Sequence, residues 1–175
     1  MILKFFFVVK FQSIETMDNE MITLTIIGAE IKPVITLPSS SPIRQLKRLI
    51  MEHTGVPVER QHLLYDNIRL TEDSLIINHH IHEATAEVFM SVVLFPEDRI
   101  INITVSNEYC KVDLIVDKVN KVIELKKTIG EVFAIPANDI DPWHMNTKLK
   151  DEKMLYRYYI DEGSDVKFTR VGDNS

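Results

Sequence analysis

The sequence predicts an α+β fold in duplicate: two small mixed sheets, each packed on one main helix. Two observations carry this. First, a constant offset of 79 residues lays the second half of the chain on the first. Ile22 meets Ile101, Thr25 meets Thr104, Leu46-Lys47 meets Leu125-Lys126, Val56-Pro57 meets Ile135-Pro136, Ile81 meets Ile160 and Phe89 meets Phe168. Read as gap-free over roughly 65 positions, such a register marks two copies of one fold. Second, within each copy the apolar spacing passes from period two to a helical period and back, in the order hairpin, helix, short strands. The 175 residues then divide into an N-terminal extension (1–20), a first domain (21–94), a linker (95–98) and a second domain (99–175).

Each element has a local reason. Ile22, Leu24 and Ile26 alternate with polar residues, as do Ile101, Ile103 and Val105, which is the signature of a half-buried strand. After a short turn Ile35 and Leu37, and in the second copy Val112, Leu114 and Val116, alternate again and close an antiparallel hairpin. Ser41 stands as a helix cap with Pro42 at the first helical position. Ile43, Leu46, Leu49 and Ile50 then form one apolar stripe that stops at Gly55. Val122, Leu125, Ile129 and Phe133 repeat the stripe without the terminal glycine. Leu63-Leu64-Tyr65, Leu70, Ile81 and Val88 to Val92 supply short strands and turns, as do Pro142-Trp143-His144, Leu149, Ile160 and Val166 to Val171. Phe95-Pro96-Glu97-Asp98 is the joint, and so short a segment containing a proline restricts the mutual orientation of the domains.

Composition narrows the function classes. With 26 acidic against 20 basic side chains, a net charge of -6 and no dense Lys/Arg run, there is little counterion-release drive toward nucleic acid or an anionic membrane. One cysteine, Cys110, excludes an intramolecular disulfide or a multi-cysteine zinc site and fits a reducing compartment, cytoplasmic and/or nuclear. At the N-terminus Lys4 and Lys10 bracket the apolar run Phe5–Val9, shorter than the roughly 7–15 residues of a signal peptide's apolar region. Residues 1–20 therefore read as an extension outside the core, an added strand or an upstream start before Met17-Asp18-Asn19-Glu20-Met21, with a short interfacial anchor as the alternative.

The stretch from Leu49 to Leu70, with His53-Thr54-Gly55-Val56-Pro57, Gln61, Leu63-Leu64-Tyr65 and Asp66-Asn67-Ile68-Arg69, resembles the ubiquitin-like (β-grasp) family without a gap. It is similar to that family's helix end, Gly-Ile-Pro turn, Leu-Ile-Phe strand and following turn. The second copy is more diverged, keeping Ile135-Pro136, Leu149-Lys150-Asp151-Glu152 and Tyr158-Tyr159-Ile160, with Pro142-Trp143-His144 in place of Leu-Ile-Phe. Among tandem forms the chain looks most like the two-domain ubiquitin-like proteins of plants. The conjugated members of the family end in a diglycine, whereas this chain ends Arg170-Val171-Gly172-Asp173-Asn174-Ser175, which leads to the expectation that it is not conjugated through its C-terminus.

The resemblance also implies an apolar protein-binding patch. Its central position falls on Leu64 in the first copy and Trp143 in the second, the latter an aromatic suited to anchor an interface. On the last strand of the first copy the constant offset puts Val88 and Met90 outward, whereas strict alternation buries them and exposes Glu87 and Phe89. In the second copy Lys167 and Thr169 hold these places, a more polar patch. The patch is thus Leu64, Phe89, Trp143, Lys167 and Thr169. Lys47, Lys126 and Lys148 match lysines through which ubiquitin builds chains.

Other conspicuous residues have plain explanations. His79-His80-Ile81-His82 reads as turn histidines without the further ligands of a metal site. Cys110 has no sequence-adjacent base to activate it. Trp143 could equally be core, and Met51, Met90, Met145 and Met154 read as packing residues. With no nucleophile–base pair, paired carboxylates or phosphate-cradling loop, the expected function is a non-enzymatic interaction module without cofactors. The resemblance implies receptor partners of the proteasome or adaptor type in the ubiquitin–proteasome system. The alternative is a covalent modifier of the two-domain type.

Overall fold

The computed structural model describes residues 20–81 and 83–172. The reading of residues 1–20 as an extension or anchor falls, Glu20 apart, outside the described residues. The first copy runs β1 (Met21–Ile27), β2 (Val34–Pro38), α1 (Ile43–Thr54), β3 (Gln61–Tyr65), β4 (Ile68–Arg69) and β5 (Thr85–Val92). The second runs β6 (Ile100–Ser106), β7 (Lys111–Asp117), α2 (Val122–Phe133), β8 (Ile140–His144), β9 (Thr147–Lys148) and β10 (Asp165–Arg170). The sheets have the same order, β2-β1-β5-β3-β4 and β7-β6-β10-β8-β9. The central pairs β1/β5 and β6/β10 are parallel and every other pair is antiparallel. Each copy is a β-grasp fold, a mixed sheet on one helix, and the α+β expectation holds.

The helix stripes are core. Ile43, Leu46 and Ile50 are wholly buried against Leu24, Ile26 and Val88, and Val122 and Ile129 against Val105 and Val166. The expected Ser41 cap is a misreading. Pro42 occupies the cap position in extended conformation and no side chain caps the helix. The first donors are satisfied instead by a distant loop: Ile43 N–H donates to the Ser74 carbonyl at 2.9 Å and Arg44 N–H to that of Glu72 at 3.2 Å. Val122 and Ile123 donate likewise to Lys153 and Asp151, at 2.9 and 3.2 Å. Because tertiary backbone does the capping, α2 starts equally well after Lys121. At the other end, Gly55 takes the left-handed conformation (φ 74°), and Ala134 does the same in the second copy at φ 54°.

The single unbroken offset fails at the last strand. Ile26 lies beside Val88 and Val105 beside Val166, so β10 follows β5 at an offset of 78. Ile81 and Ile160, at the original offset, are both buried, which places the lost residue between Ile160 and Val166. A one-residue shift exchanges the two faces of a strand. Phe89 is therefore 42% exposed whereas Phe168 is core at 3%, and the true counterpart of Phe168 is Met90. Alternation decides the open choice: Val88 and Met90 point inward, Glu87 and Phe89 outward.

Two further expectations need correction. Of the four methionines read as packing residues, Met90 is buried but Met51, Met145 and Met154 are exposed. Met145 with Asn146 forms the left-handed two-residue turn between β8 and β9, as Asp66-Asn67 does between β3 and β4, and a residue at such a turn tip projects to solvent. Lys47 and Lys126 are buried lysines, not exposed ones. Lys47 Nζ contacts Glu72 Oε1 at 2.8 Å, and Lys126 contacts Asp151 at 3.0 Å, the same helix-to-loop ion pair in both copies.

Candidate functional site

On the face of the first sheet away from α1, β5 presents Glu87, Phe89 and Ser91. Phe89 is the cross-strand partner of Leu64 on one side and of Ile27 on the other. With Leu64 and Ile27 half-buried and Phe89 largely open, Ile27, Phe89 and Leu64 form an apolar row ended by Arg69, opposite Leu64 on β4. Directly opposed side chains on one sheet face touch, so the row is a continuous surface. The corresponding row of the second sheet is Ser106, Lys167, Trp143 and Lys148. Trp143 is half-buried and Lys167 exposed, while Thr169 lies one step along β10, opposite Asp141. Leu64 and Phe89 are thus brought together in one place, and Trp143, Lys167 and Thr169 in another.

The two places are connected by an interface between the copies that sequence reasoning missed. Tyr159 packs into the core of the first copy although it belongs to the second, and Ile31 packs against both cores. The Glu30 N–H donates to the Arg157 carbonyl at 2.9 Å, and the Glu30 carboxylate pairs with Lys153 at 3.2 Å. Arg60 lies between Asp98 of the joint and Asp161 of the second copy, 3.3 Å from the latter, with its guanidinium over the Phe95 ring. Lys118, 1% exposed, completes the network through Asp161 at 2.9 Å.

Clefts open on either side of Tyr159. One, of about 640 Å³, is lined by Trp143, Lys167, Thr169 and Tyr159 of the second copy with Thr54 and Gly55 of the first. The other, of about 260 Å³, brings Phe89 and Gly28 together with Tyr156, Arg157 and Tyr159. In the larger cleft the Tyr159 hydroxyl, His144 Nε2 and Thr169 Oγ1 are buried and have no hydrogen-bond partner. Burial pushes the Tyr159 hydroxyl up to about 12, so it remains a donor at neutral pH. Burial also lowers the pKa of His144, whose Nδ1 lies 2.7 Å from the Asp165 carbonyl. The ring is therefore neutral, with Nδ1 the donor and Nε2 left as an acceptor. Those three atoms lie beneath the lining, and what the cleft itself presents is the Trp143 wall beside the exposed side chains of Glu162, Asp165 and Lys167, features of a recognition surface.

The remaining sequence candidates lie elsewhere. His79 is held 2.5 Å from the Ser74 hydroxyl, and burial, then the neighbouring His80, lowers its pKa. His82 is outside the described residues. Cys110 is exposed at a turn whose backbone is held by Asn107 Oδ1. Among the described residues no group of His, Cys, Asp and Glu is placed to hold a metal ion, and no helix is long and apolar enough to cross a membrane.

Comparison with known proteins gives one family match: residues 22–92 match the ubiquitin family. No curated protein matches the chain. Among solved structures, the ubiquitin-like domain of an Arabidopsis thaliana protein is 24% identical, covering 46% of this chain and 87% of its own, with a TM-score of 0.42. The N-terminal ubiquitin-like domain of the 4931431F19Rik protein is 22% identical over 44% of this chain and 80% of its own, with a TM-score of 0.40. The structure of ATBAG1 in complex with HSP70 is 13% identical over 40% of each chain, with a TM-score of 0.39.

Proposed function

We propose, from the match of residues 22–92 to the ubiquitin family, that the protein is a non-catalytic interaction module, docking onto receptors of the proteasome or adaptor type in the cytoplasm or nucleus. The reading rests above all on the row Ile27, Phe89 and Leu64, a continuous apolar strip across the three adjacent strands β1, β5 and β3. An apolar centre with a polar rim is the usual anatomy of a protein interface. Arg69, Glu87 and Ser91 form that rim. In the second copy Trp143 is the anchor, with Lys167 and Thr169 on its more polar flank, and the exposed ammonium of Lys167 directly opposite Trp143 favours a partner that carries an acidic group.

The test is an NMR titration of the isotope-labelled chain with a ubiquitin-binding helical module and, separately, with a proteasomal ubiquitin receptor. Amide shifts centred on Leu64 and Phe89, or on Trp143 and Lys167, are expected. Truncating Phe89 or Trp143 to alanine, the type of anchor that usually carries an interface, should weaken binding by about 2 kcal/mol or more. Shifts confined to other surfaces, or binding indifferent to both truncations, would refute the assignment.

A further inference from the structure

The outer edge of the second sheet is β7, which pairs with β6 on one side only. All of Lys111–Asp117 lies in unbroken register with β6. The Asn107 N–H donates to the Cys110 carbonyl at 3.1 Å and the Lys118 N–H to the Arg99 carbonyl at 2.9 Å. Because hydrogen-bonded pairs alternate along an antiparallel ladder, Val112, Leu114 and Val116 bond to β6. The backbone groups of Lys111, Asp113 and Ile115 and the Asp117 N–H then point away from the sheet, while the Asp117 carbonyl already accepts from the Asn120 N–H at 2.9 Å. The first copy protects its corresponding edge: β2 is shorter, ends in Pro38 and follows Pro33. No proline, glycine or bulge interrupts β7, and its outer face carries Ile115, 72% exposed, diagonally across from Ile100, 61% exposed.

We propose that β7 is a self-pairing edge through which two copies of this chain associate, antiparallel about a two-fold axis at Leu114. Three registers centred near the middle of the strand match its outward backbone groups, and charge separates them. Centring on Asp113 sets that carboxylate against its own copy, and centring on Ile115 sets Asp113 against Asp117; both oppose like charges. Centring on Leu114 sets Lys111 against Asp117 twice and Asp113 against Ile115 twice. Asp117 already binds Arg99 and Asp113 accepts the Thr104 hydroxyl, so both carboxylates are held on the outer face where the second copy meets them.

The chosen register makes opposite predictions for opposite charges at one exposed position. In Ile115→Asp each new carboxylate faces Asp113 of the other copy, and in Ile115→Lys each new ammonium does. Sedimentation of the full chain, from micromolar to millimolar protein, should show the mass rising reversibly from 20.3 kDa toward a dimer. From the range of cross-strand pair energies, Ile115→Asp should weaken the dimer about tenfold and Ile115→Lys tighten it about threefold. Hydrogen exchange at the amides of Asp113 and Ile115 should slow as concentration rises. A monomer at every concentration overturns the proposal, and so does a dimer that responds alike to both variants or leaves those two amides unprotected.

Discussion

Tyr159 gives the sharpest test of how the two halves are joined. Its ring is 5% exposed and packs in the core of the other copy, while its hydroxyl is buried without a partner. Truncation to alanine removes about 150 Å² of buried ring surface, worth about 4 kcal/mol at ~25 cal/mol/Å². The unpartnered hydroxyl already costs about 1–3 kcal/mol, so the net loss should be about 2 kcal/mol. Tyr159→Phe keeps the ring, loses the stranded hydroxyl, and should stabilise the protein by about 1 kcal/mol, or about 2–4 °C in melting temperature for a chain of this size.

The same pair of proteins gives a pH readout. The Tyr159 pKa is raised from 10.0 to about 12 in the folded state. The folded form is therefore favoured below the unfolded value, and that advantage is lost as pH rises from about 10 through about 12. Thermal melts across this range should show a steeper alkaline decline for the native chain than for Tyr159→Phe. The reasoning is refuted if Tyr159→Ala melts like the parent with unchanged amide shifts at residues 28–31, or if Tyr159→Phe is destabilised.

Three further variants test the local arguments. Ala134→Gly should stabilise the protein by about 1 kcal/mol, since alanine pays the left-handed penalty at φ 54°, and Gly55→Ala should cost a similar amount, with no heavy atom within 4 Å of the added methyl to confuse the comparison. Chemical denaturation decides it, and shifts of the same sign for both would contradict the reading. Glu72→Gln should cost roughly 2 kcal/mol by leaving the buried Lys47 ammonium without its counter-charge. Its hydrogen bond to Lys47, and then that charge, hold the Glu72 carboxyl below 4.5, so the stability it contributes is present above that pH and lost as pH falls through its lowered value. Acid melts of the variant should lack that component.

Much of the fold was legible because strand and helix periodicities are local. The alternation of Ile22, Leu24 and Ile26 and the stripe of Ile43, Leu46 and Ile50 required only that apolar side chains share a face. The helix start was not legible, because Ser41 and Pro42 mimic a cap whose work is done by the carbonyls of Glu72 and Ser74. The offset of 79 was also misleading at its end. A matched Phe89 and Phe168 look alike in sequence yet lie on opposite faces, and only the pairing of Leu64 with Phe89 and Trp143 with Lys167 reveals the missing residue. Of the candidate surface, Leu64 and Trp143 were reachable through resemblance, and Phe89 through alternation once the offset was set aside. Ile27 joins them through the parallel pairing of β1 with β5, a contact across 62 positions of chain.

The amino-acid sequence by itself determined that two copies of one mixed-sheet fold follow each other, since burial of alternating and helical apolar stripes is imposed within each copy. Only tertiary structure decided how the copies meet. The departure that matters is Tyr159 where the first copy has His80, both in the left-handed conformation at φ 58° and 57°. His80 is exposed, whereas the aromatic ring of Tyr159 finds apolar surface on the other copy. Whether such a ring lies in solvent or closes an interface depends on what stands opposite it in space. That is set by the docking of Glu30 on Arg157 and of Arg60 on Asp161, between residues far apart in the chain.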